Sequence, residues 1–98
     1  MIITKTMNED KLTLAPQGMI DTANATDFDA EVEIAVTETK NLELDFSGVE
    51  YISSSGLRVL LKAQKKMSSI GQMVLTHVNE TVKEVLDLTG FTNVLTIV

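Results

Sequence analysis

The stretch Asp45-Phe46-Ser47-Gly48-Val49-Glu50-Tyr51-Ile52-Ser53-Ser54-Ser55-Gly56-Leu57-Arg58-Val59-Leu60 decides how this chain is read. It opens on the end of a strand, in which Leu42, Leu44 and Phe46 alternate with Glu43 and Asp45 and so give one apolar face. A short loop, three serines and a glycine follow, and then an apolar helical pattern. Hydroxyls at a helix start meet four unpaired backbone N–H groups and the positive end of the helix dipole. A serine there is well placed to carry a phosphate. It is equally an ordinary cap, worth about 1 kcal/mol.

Upstream of that stretch, Phe28, Val32, Ala35 and Val36 follow the 3.6-residue period, with Thr22 or Asn24 as the cap. Asp27, Asp29, Glu31 and Glu33 crowd the first half of this helix, where the dipole favours them. Further back, Ile2 to Met7 reads as an edge strand, Asn8 to Asp10 as a turn, and Lys11 to Ala15 as a second strand. The short link makes these two an antiparallel hairpin. Pro16 and Gly18 then mark a bulge or bend.

Downstream, a helix is expected from Ser55 to Ser68, with Leu57, Leu60, Leu61 and Met67 on its buried stripe and Gly71 breaking it. Met73 to Thr76 is a fourth strand. Asn79 caps a third helix whose inward residues are Val82, Val85 and Leu86, and Gly90 stops it. Val94 to Val98 is a short final strand or an extended tail.

Strand, helix, strand, helix, strand in that order calls for parallel pairing with right-handed crossovers, and the hairpin adds an antiparallel edge. The expectation is one α/β domain over residues 1–98, with a mixed four- to five-stranded sheet and about three main helices. The serine loop is expected at the C-terminal edge of the third strand, where such sheets place functional loops. If successive strands are neighbours, both crossover helices lie on one face, and Glu43 and Asp45 point to the other.

Composition narrows the function. Ninety-eight residues allow one small domain. Tryptophan is absent and aromatics are only 4%, so the core must be aliphatic. Zero cysteines exclude disulfides and thiolate sites. No apolar run reaches the roughly 18 residues of a membrane span, and no signal-peptide pattern opens the chain, so a cytoplasmic location is expected. A net charge of −6 argues against direct nucleic-acid binding, which rests on Lys and Arg neutralising phosphates. Lys62, Lys65 and Lys66 read as a solvated helix face.

Catalytic chemistry finds no foothold. His77 is the one histidine, on a loop, without a second for a metal pair. No Walker A loop occurs, the five glycines are too far apart for a dinucleotide loop, and Gly-x-Ser-x-Gly is missing. No catalytic residue, metal site or cofactor is expected. The serine loop is left as the site, and a phosphate on Ser54 would add about −1.5 to −2 charges to it.

The run from Leu44 to Leu57 resembles the signature of STAS domains, and within them the single-domain bacterial anti-sigma factor antagonists. Gly18-Met19-Ile20-Asp21 resembles the family's glycine, two residues and aspartate. Asn79 to Val82 and Leu86 to Phe91 resemble its closing helix and Thr-Gly stop. The resemblance implies a non-enzymatic regulator that binds an anti-sigma factor, a serine kinase of the GHKL type, when unphosphorylated. That kinase would modify the serine opening the Ser-[Ser/Thr]-Gly run, here Ser54, and a PP2C-type phosphatase would reverse it. Partner contact is then expected at Asp21, Ser53, Ser55, Gly56, Leu57 and Arg58.

Two departures stand out. The family often has an aspartate just before the modified serine, and this chain has Ser53. The sequence given ends at Val98, before the extra C-terminal helix of many members, so a face that helix would cover is expected open. STAS domains also serve as subunits of membrane lipid-transport ABC complexes without phosphorylation, the alternative reading.

Overall fold

The computed structural model describes all 98 residues. Strands β1 (Ile3–Asn8) and β2 (Lys11–Pro16) form the antiparallel hairpin, closed by Glu9 and Asp10. Glu9 takes a left-handed φ of 59°, uncommon for a residue with a side chain. There follow β3 (Gly18–Ile20), α1 (Ala25–Glu38), β4 (Asn41–Asp45), β5 (Val49–Ile52), α2 (Ser54–Ile70), β6 (Gln72–Thr76) and α3 (Glu80–Leu88), with one 3-10 turn at Phe91–Asn93.

The main sheet has the order β1-β2-β4-β6, with β2, β4 and β6 parallel. It is mixed, as expected. Because α1 joins β2 to β4 and α2 joins β4 to β6, two right-handed steps in the same direction put both helices on one face. Their apolar stripes meet the inward residues of the sheet. Leu12, Leu14, Leu42, Leu44, Met73 and Leu75 are all buried, against Phe28, Val32 and Ala35 of α1 and Leu60, Ala63 and Met67 of α2. Phe28 and Phe46 tilt against each other with ring centroids 6.5 Å apart. Glu43 and Asp45 alternate with the buried leucines and so lie on the opposite face.

The structure corrects the expected course of the chain around residues 16–20 and 46–52. The bulge expected at Gly18 is present, but Gly18 to Ile20 is itself a strand, and Val49 to Ile52 is a strand rather than a loop; the two pair in parallel as a separate two-stranded ribbon. The ribbon continues the β2–β4 pair past a kink. Leu14 faces Leu44, but Gly18 faces Val49 and Met19 faces Tyr51, so the second strand gains a residue at each of two steps. Such bulges bend and twist a sheet. Gly18, with φ of 92°, supplies the conformation the kink needs.

Smaller differences are local. Helix α2 runs two residues further than expected at its C-terminal end and starts at Ser54, one residue earlier. Leu61 and Val85 are half-buried on the flanks of their helices rather than in the core. The C-terminal tail makes a single parallel bridge, Ile97 to Leu75, at the free edge of β6.

Candidate functional site

The serine loop follows β5, not the central strand β4, and the ribbon explains why. Ile52 pairs with Ile20, and the Ser53 N–H donates to the Ile20 carbonyl at 2.8 Å, so pairing extends one residue into the serines. Ser53 is therefore still extended (φ −88°, ψ 173°) and becomes the cap of α2. Its Oγ accepts from the Gly56 N–H at 3.4 Å, and its carbonyl takes the Leu57 N–H at 3.0 Å. Ser54 is the first helical residue and is exposed. The cap is thus Ser53 and not Ser54. Aspartate and serine are near-equal caps, so Ser53 can fill the capping place as an aspartate would.

The remaining residues separate by burial. Ser55 is half-buried in a groove shared with Thr26, Asp29, Arg58 and Lys62, between the starts of α1 and α2. Arg58 is exposed. Gly56 and Leu57 are buried beneath the loop and shape it from below. A Cβ on Gly56 would lie 2.7 Å from Ile52 Cγ1 and 2.8 Å from Ile20 Cγ2, so only glycine lets the first turn of α2 rest on the ribbon.

Asp21 follows directly on β3 and so comes alongside the serine loop. It is half-buried and locked to Asn24: the Asp21 N–H donates to Asn24 Oδ1 at 2.8 Å, and the Asn24 N–H donates to Asp21 Oδ1 at 3.0 Å. Asn24 Nδ2 also donates to the Met19 carbonyl at 2.7 Å. Asn24 is the cap position of α1, but its side chain braces the turn before the helix rather than the helix N–H groups.

Two features escape a local reading of the sequence. Asn79 caps α3 through Oδ1, which accepts from the Val82 N–H at 2.7 Å, and its Nδ2 donates to the Val49 carbonyl at 2.9 Å. One side chain thus ties α3 to the strand that carries the serines. The second is a polar network on the open face of the sheet. Glu43 accepts from the Thr76 hydroxyl at 2.7 Å and pairs with Lys11 at 2.9 Å. Asp45 accepts from the Ser47 N–H at 2.9 Å and meets His77 Nδ1 at 3.0 Å.

Both carboxylates in this network are held below their ordinary values. For Glu43 the Thr76 hydroxyl is the main cause, followed by Lys11. For Asp45 burial pushes upward, and the bonds from Ser47 and His77 outweigh it. Donor atoms of Glu43, Asp45 and His77 lie within 4.8 Å of one another, the one grouping in the chain with the makings of a metal set. Each oxygen of Glu43 already has its own partner, Lys11 on one and Thr76 on the other. His77 is exposed, as its loop position suggests, and its left-handed φ of 56° is the second such non-glycine in the chain.

The family model of the STAS domain matches residues 2–98. The chain belongs to the STAS domain family. This STAS domain is 32% identical over 96 residues to a protein of Bordetella bronchiseptica named "Putative anti-sigma factor antagonist BtrV", covering 96% of the chain and 83% of that protein. It is also similar to the crystal structure of a Thermotoga maritima protein described as a "putative anti-sigma factor antagonist", at a TM-score of 0.89 and 28% identity, covering 97% of this chain and 84% of the other. The fold alone is shared with the Bacillus cell fate determinant SpoIIAA in its phosphorylated form, at a TM-score of 0.75 and 15% identity over 99% of this chain and 91% of the other. No helix of this STAS domain is long and apolar enough to cross a membrane.

Proposed function

We propose that this STAS domain is an anti-sigma factor antagonist of the cytoplasm, a non-enzymatic switch whose on-state is unphosphorylated. Its partner is an anti-sigma factor with a GHKL-type serine kinase fold. That kinase places a phosphate on Ser54, and a PP2C-type phosphatase removes it. The contact surface is the serine loop, Ser53 to Ser55, and Arg58, with Asp21 beside it and Gly56 and Leu57 as its floor.

The observation that carries this reading is the division of labour among the three serines. Ser53 is engaged as the cap and Ser55 is turned into a groove, while Ser54 is exposed on the first turn. A phosphate there displaces no buried group when the protein is alone, so the modified domain remains folded. In a complex it would have to be buried or repelled, and leaving a charge unpaired in an interface costs several kcal/mol. Each 1.4 kcal/mol is about tenfold in affinity.

Incubation with the cognate kinase and ATP, intact mass, and then tandem mass spectrometry test the assignment. One phosphate is expected, on Ser54. Ser54→Ala should fold, bind the kinase and resist modification; because Ser53 is the cap, alanine at 54 removes no capping bond. Ser54→Asp should bind more weakly than wild type. Phosphate on Ser53 or Ser55 moves the site. No phosphate at all favours the alternative, a transporter-associated STAS subunit.

A further inference from the structure

Most of the chain's side-chain cations are committed to carboxylates. Lys5 pairs with Glu38, Lys11 with Glu43, Lys62 with Asp29 and Glu33, Lys66 with Glu33, and Lys83 with Asp87. Arg58 takes part in no such pair, although it shares the outer stripe of α2 with Lys62, one turn further on. The acid nearest to hand in the groove, Asp29, is taken: Lys62 reaches it at 2.8 Å, and the hydrogen bond to Asp29 holds the Lys62 ammonium above its usual pKa.

One turn before Arg58 on that stripe is Ser54. Residues four apart on a helix have Cβ atoms about 6 Å apart. Long helical side chains lean toward the N-terminus, which brings the first turn of α2 within reach of the guanidinium, and Arg58 lines the groove there together with Ser55. An exposed arginine without a carboxylate, one helical turn from an exposed serine, is free to meet an anion placed on that serine.

We propose that Arg58 is the intramolecular ligand of a phosphate on Ser54, its planar fork closing on the phosphate oxygens one turn away. The proposal rests on the Ser54 reading above and adds what becomes of the new charge. A guanidinium stays charged at any working pH and matches phosphate oxygens two at a time. Phosphorylation then has two effects at once. It places a dianion on the contact surface, and it draws the surface's one free arginine away from whatever acidic group a partner offers it.

The test uses protein with phosphoserine inserted at position 54 during translation, which needs no kinase. Failure here is therefore separate from failure of the kinase reading. The second pKa of the phosphate is followed by phosphorus NMR in the wild type, R58Q and K65Q. Lys65 is another α2 cation outside the ion pairs, three turns from Ser54, and its loss changes net charge equally. R58Q should raise the phosphate pKa by on the order of half a unit, R58K should recover part of the shift, and K65Q should leave it near the wild type. Equal values in wild type and R58Q, or equal shifts in R58Q and K65Q, would overturn the proposal.

Discussion

Three adjacent serines are chemically alike, and what separates them is one backbone bond. The Ser53 N–H is held by the Ile20 carbonyl, which keeps Ser53 extended and forces the helix to begin at Ser54. That bond joins residues 33 positions apart, so nothing in the local run announces it. The sequence showed a helix start among the serines and a phosphate-competent position at Ser54, but it left Ser54 as a candidate cap, one residue off. Gly56 makes the same point about packing. Its need for glycine comes from Ile20 and Ile52, both fully buried, pressing on where a methyl would be. Gly56→Ala should therefore overpack the joint between α2 and the ribbon and cost about 1–3 kcal/mol. A domain of this size loses roughly 4–8 °C in Tm per kcal/mol, so thermal denaturation reads it directly. An unchanged Tm would mean that α2 rests less closely on the ribbon than described.

Among the elements, those with a clean period were legible and those without were not. Helices α1 and α2 and strands β2, β4 and β6 each show several apolar residues at 3.6 or 2 spacing, because each has one face on a shared core. The ribbon strands are three and four residues long, the first opening on Gly18 just after Pro16 and the second preceded by Ser47 and Gly48, and β5 buries only its two ends. Short strands among turn formers carry no period to read, and their pairing is a consequence of the β2–β4 register upstream. Helix α2 shows how finely burial is graded even where the period is right. Leu60 is fully buried and its neighbour Leu61 is half-exposed on the flank. Leu60→Ala should cost about 2–5 kcal/mol, and Leu61→Ala clearly less. Urea midpoints of the two variants compare them on one scale, and equal losses would contradict the orientation of the helix.

For the molecule as a whole, the open face of the sheet couples stability to pH. Glu43 ionises below its ordinary 4.5 in the folded chain because Thr76 and Lys11 stabilise its charged form. A carboxylate whose folded pKa is lowered contributes stability that is complete above the unfolded value and is lost as pH falls through the folded one. Asp45, lowered from 3.8, adds to the same acid limb. Glu43→Gln should therefore be less stable than wild type at about pH 7, with the gap closing toward about pH 3. Urea unfolding at a series of pH values measures that gap. A gap independent of pH would show that the pair with Lys11 and the Thr76 bond do not favour the ionised form.

The kink between the main sheet and the ribbon also divides the molecule in time. Hydrogen bonds of the β3–β5 pair close a small sheet of their own, while the amides of β2, β4 and β6 are locked inside a four-stranded one. Sub-global opening follows such cooperative units. Amide hydrogens of Gly18 and Ser53, held by the Gly48 and Ile20 carbonyls across the ribbon, should exchange with deuterium roughly tenfold or more faster than that of Phe46, held by the Thr76 carbonyl of the main sheet, because only the former are freed when the ribbon breathes alone. Substitutions in the main sheet would then set how long the protein survives, and substitutions in the ribbon how often the serine end changes shape, so natural variation can retune the signal without shortening the life of the molecule.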